Sequence, residues 1–343
     1  MSKTPKILFR TIGGRSIKKQ IGLGHIYRCI NLAKNLKNTK IFFLVEDYGG
    51  AKDVILNSKF KNISILNKNL SVDSDYKFTK NFIEKNNIDL VIVDKYRVSL
   101  SYLKQLNQII KTVVISDLQK IDFPVNLVIN GFVGFKNSIK QNKFGAKCLL
   151  GPKYQILNEN FSKQKSLKDK REYTLLATFG GLDGHNISES MYEPLSKYGK
   201  LISTKIILGP IAKKSSRLAR LQKKFPDSIT LIQKTNDMFA EMSNCHYGLC
   251  SGGLTTYEFA KLGIPFGIIS QVRHQLSTAQ QWEELGIATN LGLISTRTPK
   301  KIEHFIEAIL SDKIPQKKTS LVDGLGSKRV GTEIVKLIKS NKY

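Results

Sequence analysis

The stretch of residues 248–263 holds the residue types whose spacing most clearly suits chemistry. An apolar run ends at Cys250, a serine and two glycines follow, and a helical pattern containing Glu258 begins directly after them. A strand, a glycine turn and a helix in this order direct free backbone N–H groups and the positive end of the helix toward one point, which suits a phosphate group. An ordinary tight turn between a strand and a helix gives the same pattern. The phosphate interpretation assigns the anion to Ser251, Gly252, Gly253, Leu254 and Thr255, and a nucleotide's sugar hydroxyl to Glu258.

A histidine between two further elements is the second candidate. Gly22 and Gly24 lie between the first predicted strand and the first predicted helix, and His25 follows at the helix start. The glycines permit close backbone approach, and ligands of open α/β sheets bind at the carboxyl ends of the strands. A neutral imidazole there can accept a proton, so we expect His25 to act as a general base. A histidine that only caps or packs at the turn is the alternative.

Charged side chains end three of the predicted strands and are expected to face the same crevice. Asp94 and Tyr96 follow one strand, Asp117 follows the next, and either aspartate could instead be a helix cap. Arg10 ends the first strand and Arg28 lies in the first helix, where a guanidinium could bind a phosphate through two N–H groups. The catalytic prediction therefore comprises His25, Asp94 and Tyr96, with Arg10, Arg28 and Asp117 as ligand-binding residues.

Two weaker patterns in the second half complete the predicted site. Gly180 and Gly181 follow a predicted strand, as Gly22 and Gly24 do, and are expected to form another flexible edge beside the phosphate. Three polar residues after a later strand are expected to reach the sugar of a nucleotide sugar: His274, Gln275 and Gln280.

Composition limits the class of protein. A chain of 343 residues with 41% hydrophobic residues is long enough for two domains with real cores. It has no apolar stretch long enough to span a membrane, and its first residues lack the pattern of a signal peptide. The four cysteines show no CxxC spacing, so neither a zinc site nor a disulfide framework is indicated. We expect a cytoplasmic protein without a metal or other cofactor.

The net charge of +28 could attract nucleic acid, anionic lipid or phosphorylated substrates. A Lys-rich solvated surface gives the same value, and no zinc finger, basic recognition helix or RNA-stacking motif is present. We therefore expect no specific nucleic-acid partner, while peripheral contact with a membrane stays open.

Apolar β-branched runs alternate with amphipathic segments, which predicts doubly wound parallel sheets covered by helices. The predicted strands span residues 6–11, 40–45, 62–66, 89–94, 112–116, 126–130, 173–179, 203–208, 228–233, 246–250 and 265–269. The predicted helices span residues 25–37, 51–57, 75–86, 99–110, 186–197, 213–224, 236–243, 254–263, 274–285, 299–311 and about 327–340. A polar stretch at 158–172 predicts a linker, so two Rossmann-like domains facing a central cleft are expected. Their predicted bounds are 1–157 and 173–325, with a C-terminal helix in 326–343.

Taken together, the motifs resemble those of the UDP-sugar hydrolase of the pseudaminic acid pathway and its relatives in spore-coat and surface-polysaccharide synthesis. The resemblance covers about residues 5–335. Its second half is similar to GT-B transferases such as the one that adds GlcNAc to the lipid-linked murein precursor. It is carried by Gly22-Leu-Gly-His25-x-x-Arg28, Asp94-x-Tyr96, Asp117-Leu118, Gly151-Pro152-x-Tyr154, Phe179-Gly-Gly-x-Asp183, Ser251-Gly-Gly253 with Glu258, and Asp323-Gly-x-Gly326-x-x-Arg329.

The resemblance implies a GT-B-like fold, a UDP-sugar ligand and no metal. In the hydrolase the histidine of the Gly-x-Gly-His motif activates water, which corresponds to His25, and the helix glutamate that holds the ribose corresponds to Glu258. Two departures put the sugar and the acceptor in doubt: Lys95 stands where the hydrolases usually have His, and Ser116 where they usually have Asp.

Two enzymatic hypotheses and one non-enzymatic hypothesis follow. The first is a nucleotide-sugar hydrolase that releases UDP and a free modified sugar for surface-glycan or nonulosonic acid synthesis. The alternative is a GT-B glycosyltransferase that acts on a cell-surface polysaccharide or lipid-linked acceptor. A charge-driven nucleic-acid-binding protein is the third.

Overall fold

The computed structural model describes residues 4–15, 21–117, 120–135, 139–163, 171–213 and 215–340, and the chain divides into two compact units. The first unit consists of residues 1–159 and 324–343, and the second of residues 160–323.

The first unit contains a seven-stranded sheet in the order β3-β2-β1-β4-β5-β6-β7. All of its strand pairs are parallel. The strands are β1 (Lys6–Gly13), β2 (Lys40–Asp47), β3 (Ile63–Leu66), β4 (Leu90–Asp94), β5 (Lys111–Ile115), β6 (Leu127–Asn130) and β7 (Lys147–Leu150). The helices are α1 (Gly24–Asn35), α2 (Ala51–Asn57), α3 (Val72–Asn86) and α4 (Leu100–Ile109). A short 3₁₀ helix spans Pro152–Tyr154.

The centre of this sheet is buried on both faces. Every residue of β4 is buried, as the apolar run of its sequence predicts for a strand covered by helices. Strand order reverses between β1 and β4, because β2 pairs on one side of β1 and β4 on the other. The carboxyl ends at such a reversal are where open α/β sheets leave room for a ligand.

The second unit contains a six-stranded parallel sheet in the order β10-β9-β8-β11-β12-β13. Its strands are β8 (Tyr173–Thr178), β9 (Thr204–Ile207), β10 (Ile229–Ile232), β11 (Cys245–Cys250), β12 (Phe266–Ser270) and β13 (Ala288–Leu293). Its helices are α5 (Tyr192–Tyr198), α6 (Ser216–Lys224), α7 (Met238–Met242), α8 (Leu254–Leu262), α9 (Arg273–Glu284) and α10 (Thr298–Leu310). Two 3₁₀ helices span Glu159–Ser162 and Ile187–Met191. Here the strand order reverses between β8 and β11.

The C-terminal helix, α11 (Gly326–Lys339), belongs to the first unit. Ser327 Oγ donates to the carbonyl oxygen of Leu157 at 2.7 Å, and Lys111 Nζ donates to that of Leu337 at 2.7 Å. A side chain at Gly326 would overlap the backbone of Gln155, so glycine is required where α11 begins. Because this helix packs on the first unit, the chain crosses between the units twice.

The linker prediction for residues 158–172 falls partly on the 3₁₀ helix at Glu159–Ser162, and residues 164–170 lie outside the described residues. The helix expected at 186–197 begins with a 3₁₀ segment and becomes α-helical at Tyr192. In the described part of the chain, no helix is long and apolar enough to cross a membrane.

Candidate active site

His25 lies in the first turn of α1, directly behind the carboxyl edge of the first sheet. Gly22 has a φ of +63°, a left-handed conformation that favours glycine and lets the chain turn into the helix. The Nδ1 atom of His25 is 2.6 Å from Oδ1 of Asp94, the last residue of β4. An ionised carboxylate only accepts hydrogen bonds, so Nδ1 carries the hydrogen and Nε2 keeps its lone pair. The structure thus joins two of the predicted catalytic residues.

Asp94 is completely buried, and its carboxylate bonds both Arg28 and His25. Arg28 Nε donates to its Oδ2 at 2.9 Å, and Arg28 Nη2 donates to its Oδ1 at 2.7 Å. Burial by itself would raise the pKa of Asp94, but Arg28 and His25 hold that pKa well below its ordinary value. Asp94 therefore stays ionised, and its position behind His25 makes it an orienting group for the imidazole.

Arg28 also binds Asp117, which follows β5. Nη2 of Arg28 donates to Oδ2 of Asp117 at 3.0 Å, and Nη1 donates to Oδ1 of the same carboxylate. The expectation that Arg28 meets a phosphate stays a prediction, and both edges of its guanidinium already face carboxylates. Asp117 acts on the site through Arg28.

Arg10 does not reach the predicted ligand either. Its side chain is fully buried, its Nε donates to Asp75 at 2.8 Å, and its Nη2 lies 3.3 Å from a Glu46 oxygen. A guanidinium that is fully buried and already bonded to two carboxylates cannot reach a phosphate at the surface. We therefore correct its assignment from ligand binding to internal support of β1, β2 and α3.

Lys95, one of the two departures from the hydrolase pattern, points into the same cluster. Its Nζ donates to Asp75 and lies 3.8 Å from Glu46, and it also lies 5.6 Å from the ring centroid of Tyr102. Burial and the nearby Arg10 lower the pKa of Lys95. The amine of Lys95 thus pairs with buried carboxylates.

Tyr96, the third predicted catalytic residue, is 38% exposed, and Arg97 lies 5.1 Å from its ring centroid. Its assignment as a substrate contact stays a prediction.

The glycine turn of the second unit has the geometry that its sequence indicates. Strand β11 ends at Cys250, α8 begins at Leu254, and no side chain of the described residues caps the N-terminus of α8. A Cβ at Gly253 would have no heavy atom of the described residues within 4 Å, whereas one at Gly252 would lie 2.8 Å from Cβ of Gln275. Gly252 is thus needed for packing on α9, and Gly253 leaves the helix start open.

Glu258 lies on the second turn of α8 and is only 9% exposed. Burial raises the pKa of its carboxyl to about 7. No hydrogen bond joins this carboxyl to another of the described residues. A buried carboxyl without a partner is costly in the free protein and would gain stability from a donor such as a sugar hydroxyl.

A glutamine that sequence analysis missed holds the turn in place. Gln271 Nε2 donates to Ser251 Oγ and to the carbonyl oxygen of Phe179, both at 2.7 Å. Its backbone N–H donates to Oε1 of Gln275 at 2.8 Å, so Gln275 supports the turn rather than presenting that oxygen to a ligand. No spacing pattern marks Gln271, because its partners come from β8 and β11.

Four further predicted ligand residues belong to the second unit, and their roles stay predictions. Gly180 has a φ of +85° and open space beside it, as expected for a flexible edge after β8. His274 and Gln280 are exposed on α9. Thr255 lies in the first turn of α8. In the described ranges, no group of three or more His, Cys, Asp or Glu residues could hold a metal ion.

The chain is similar in sequence to two known proteins. No protein-family model matches the chain. The uncharacterized protein MJ1062 of Methanocaldococcus jannaschii is 26% identical over 311 residues, which cover 85% of this chain and 61% of that protein. The chain thus spans less than two thirds of the archaeal relative. The spore coat polysaccharide biosynthesis protein SpsG of Bacillus subtilis is 24% identical over 328 residues, which cover 90% of this chain and 93% of SpsG.

Solved structures are similar at lower identity. MurG of Acinetobacter baumannii is 15% identical with a TM-score of 0.63, covering 98% of this chain and all (100%) of that one. The calicheamicin glycosyltransferase CalG4 is 12% identical with a TM-score of 0.65 and covers 98% of both chains. MnaA of S. aureus, solved with UDP, is 14% identical with a TM-score of 0.57 and covers 99% of both chains.

The similarity to SpsG supports the resemblance to spore-coat polysaccharide proteins that the motifs carry. The solved structures confirm the predicted fold class. Their sequence identities of 12–15% support a conclusion about the fold alone. The chain therefore has the GT-B-type architecture of two Rossmann-like parallel-sheet domains.

Proposed function

We propose that this protein is a glycosyltransferase that moves a sugar from a nucleoside diphosphate sugar to a hydroxyl group, in the synthesis of a surface polysaccharide or its lipid-linked precursor. The observation that carries the proposal is the 2.6 Å contact between His25 Nδ1 and Asp94, which leaves Nε2 of His25 as a proton acceptor. The glycosyltransferases among the similar folds and the name of SpsG support the same class of reaction.

In this mechanism His25 is the general base. Its Nε2 removes the proton of the acceptor hydroxyl while the oxygen attacks the anomeric carbon and the nucleoside diphosphate leaves. The imidazole becomes positively charged in this step, and the ionised Asp94 behind it stabilises that charge. Because Arg28 bonds both oxygens of Asp94, the carboxylate cannot rotate when Nε2 of His25 takes up the proton. The imidazole therefore keeps its orientation.

The second unit supplies the nucleotide contacts in the proposal. The uncapped N-terminus of α8 and the open backbone at Gly253 would hold the diphosphate, because N–H groups and the helix dipole favour an anion. Glu258 would accept a hydrogen bond from a ribose hydroxyl. UDP is the favoured nucleotide, and the structure of MnaA with UDP supports that choice.

A nucleotide-sugar hydrolase is the second candidate, and the motif Gly22-Leu-Gly-His25-x-x-Arg28 favours it. The same base would activate water in place of an acceptor hydroxyl. The two reactions differ in one observable: a hydrolase releases UDP steadily from a UDP-sugar without any acceptor, and a transferase does not.

The first test is therefore a thermal-shift screen of UDP, CDP, GDP and CMP, followed by an assay of UDP release from UDP-sugars with no acceptor present. A selective ligand raises the melting temperature by an amount that grows with its concentration relative to Kd. No shift with any nucleotide would contradict both candidates. Steady UDP release without acceptor would replace the transferase by the hydrolase.

A further inference from the structure

We propose that Asp117, acting through Arg28, helps Asp94 to keep the hydrogen of His25 on Nδ1, and that Asp117 and Arg28 are positioning residues for the proposed base. This inference rests on the proposed function of His25. It gives Asp117 a role that requires no contact with the substrate.

Carboxylates occupy both edges of the Arg28 guanidinium. A guanidinium has five N–H donors in a fixed plane. One edge, Nε and Nη2, faces Asp94 with distances of 2.9 and 2.7 Å. The other edge, Nη1 and Nη2, faces Asp117, with Nη2 at 3.0 Å from Oδ2. Both hydrogens of Nη2 therefore have carboxylate acceptors.

This matters because Nη2 of Arg28 also lies 3.3 Å from Nδ1 of His25. A guanidinium only donates hydrogen bonds, so a bond to Nδ1 would require that Nδ1 has no hydrogen. The imidazole would then carry its hydrogen on Nε2 and could not act as a base there. Asp117 takes the second hydrogen of Nη2, which leaves Nδ1 free to donate to Asp94.

Asp117 is also the one member of this cluster that can be changed without opening the core. Its side chain is 47% exposed, whereas those of Arg28 and Asp94 are 7% and 0% exposed. Removing it frees one hydrogen of Nη2 and keeps the Arg28–Asp94 pair. We therefore expect Asp117→Ala to fold normally and to shift His25 toward the Nε2–H form.

A matched control is available in the same unit. Asp122 has a 48% exposed side chain, close to the 47% of Asp117, and lies 3.8 Å from Lys143. Replacing either aspartate by alanine removes one negative charge. Asp122→Ala removes a surface carboxylate that has no contact with the histidine in the described structure. It should leave the His25 tautomer and the turnover unchanged.

The experiment is ¹⁵N NMR of the full-length protein labelled at histidine. The chain has five histidines, and the signals that disappear in a His25→Gln variant are those of His25. In wild type we expect His25 to be Nδ1-protonated, with Nε2 in the shift range of an unprotonated nitrogen. In Asp117→Ala the Nε2–H form should gain population, and kcat should fall in proportion to it, about twofold if half of the molecules convert. The UDP-dependent shift in melting temperature should not change.

An unchanged His25 tautomer in Asp117→Ala would overturn the proposal, even if turnover fell. A tautomer change of equal size in Asp122→Ala would also overturn it, because general electrostatics would then be the cause. A His25→Gln variant with wild-type turnover would refute the proposed function instead, and the NMR result would stand by itself.

Discussion

At the carboxyl edge of the first sheet, the buried carboxylate of Asp94 lies between Arg28 and His25, whereas near the same edge of the second sheet the buried Glu258 has no cationic partner among the described residues. The pKa values of the two carboxyl groups therefore shift in opposite directions: that of Asp94 is held well below its ordinary value, and that of Glu258 is raised to about 7. The first edge has its carboxylates paired with Arg28 and its imidazole held in place, which suits the movement of a proton. The second edge has an uncapped helix and an unpaired carboxyl, which suits the arrival of a ligand.

A further contrast lies within the first unit. Arg10 and Arg28 are both buried and each pairs with two carboxylates, but the Arg10 cluster contains no imidazole and its carboxylates are 5–6% exposed. The Arg28 cluster has a histidine that is 14% exposed and an aspartate that is 47% exposed. A buried ion pair by itself is thus weak evidence of catalysis, and the partly open imidazole is what separates the two clusters.

The largest expected effect is that of Asp94→Asn. The amide cannot hold the charge that develops on His25, and its NH₂ group would favour the wrong tautomer. Turnover should fall by about 10³-fold or more. The assay is kcat for UDP release at saturating substrate, with the melting temperature measured beside it. A loss of less than tenfold in a folded variant would mean that Asp94 does not orient the base.

Arg10→Met should affect stability and not chemistry. It leaves Asp75 and Glu46 with Lys95 as their remaining described cation, and breaking such a buried pair costs about 3–5 kcal/mol. Urea unfolding measures this cost, and kcat measured well below the melting temperature should stay within about twofold of wild type. A large loss of kcat in the folded variant would erase the distinction between the two arginine clusters.

Glu258→Gln tests the second edge through pH. The pKa of Glu258 in the folded protein is raised to about 7 from an ordinary 4.5, so the folded state holds a proton that the unfolded state has lost between these values. The stability from this group is complete below pH 4.5 and is lost as pH rises toward 7, by about 3 kcal/mol.

The measurement is the free energy of unfolding in urea from pH 4.5 to 8 for wild type and the variant. The fall with rising pH should be smaller in Glu258→Gln by that amount, because glutamine does not titrate. Equal slopes for the two proteins would show that Glu258 is not held protonated by burial.

Gly253→Ala should have the smallest effect. The added methyl group meets open space, so the fold should keep its melting temperature, but it projects beside the helix start where the diphosphate would lie. We expect about a tenfold weaker Kd for UDP, or about 1.4 kcal/mol. Equal UDP affinity for Gly253→Ala and wild type would place the nucleotide elsewhere.

Most strands and helices could be predicted from the sequence because apolar β-branched runs mark strands that are buried on both faces. Two strands were missed: β7 (Lys147–Leu150) contains no β-branched residue, and β13 contains Asn290 and Gly292 and is mostly half-buried at a sheet edge. Edge strands lack the continuous apolar run by which central strands are recognised.

The candidate site could be predicted only for residues that follow neighbouring parallel strands, because the order of the strands then brings these residues to the same edge of the sheet. His25 and Asp94 follow neighbouring strands, so their meeting follows from the parallel topology. The partners of Arg10 come from positions 36 and 65 residues away, and nothing in its local sequence distinguishes a buried arginine from one that binds a phosphate. Gln271 was missed for the same reason, since its role depends on the convergence of β8 and β11.

The turnover and the UDP affinity of His25→Ala, determined on one preparation, test the central claim most directly. A general base contributes about 10²–10⁴-fold to a rate, so kcat should fall by at least 100-fold while Kd for UDP stays within about twofold of wild type. A variant that keeps more than a tenth of wild-type kcat would contradict the account, as would a loss of UDP binding that matches the loss of turnover.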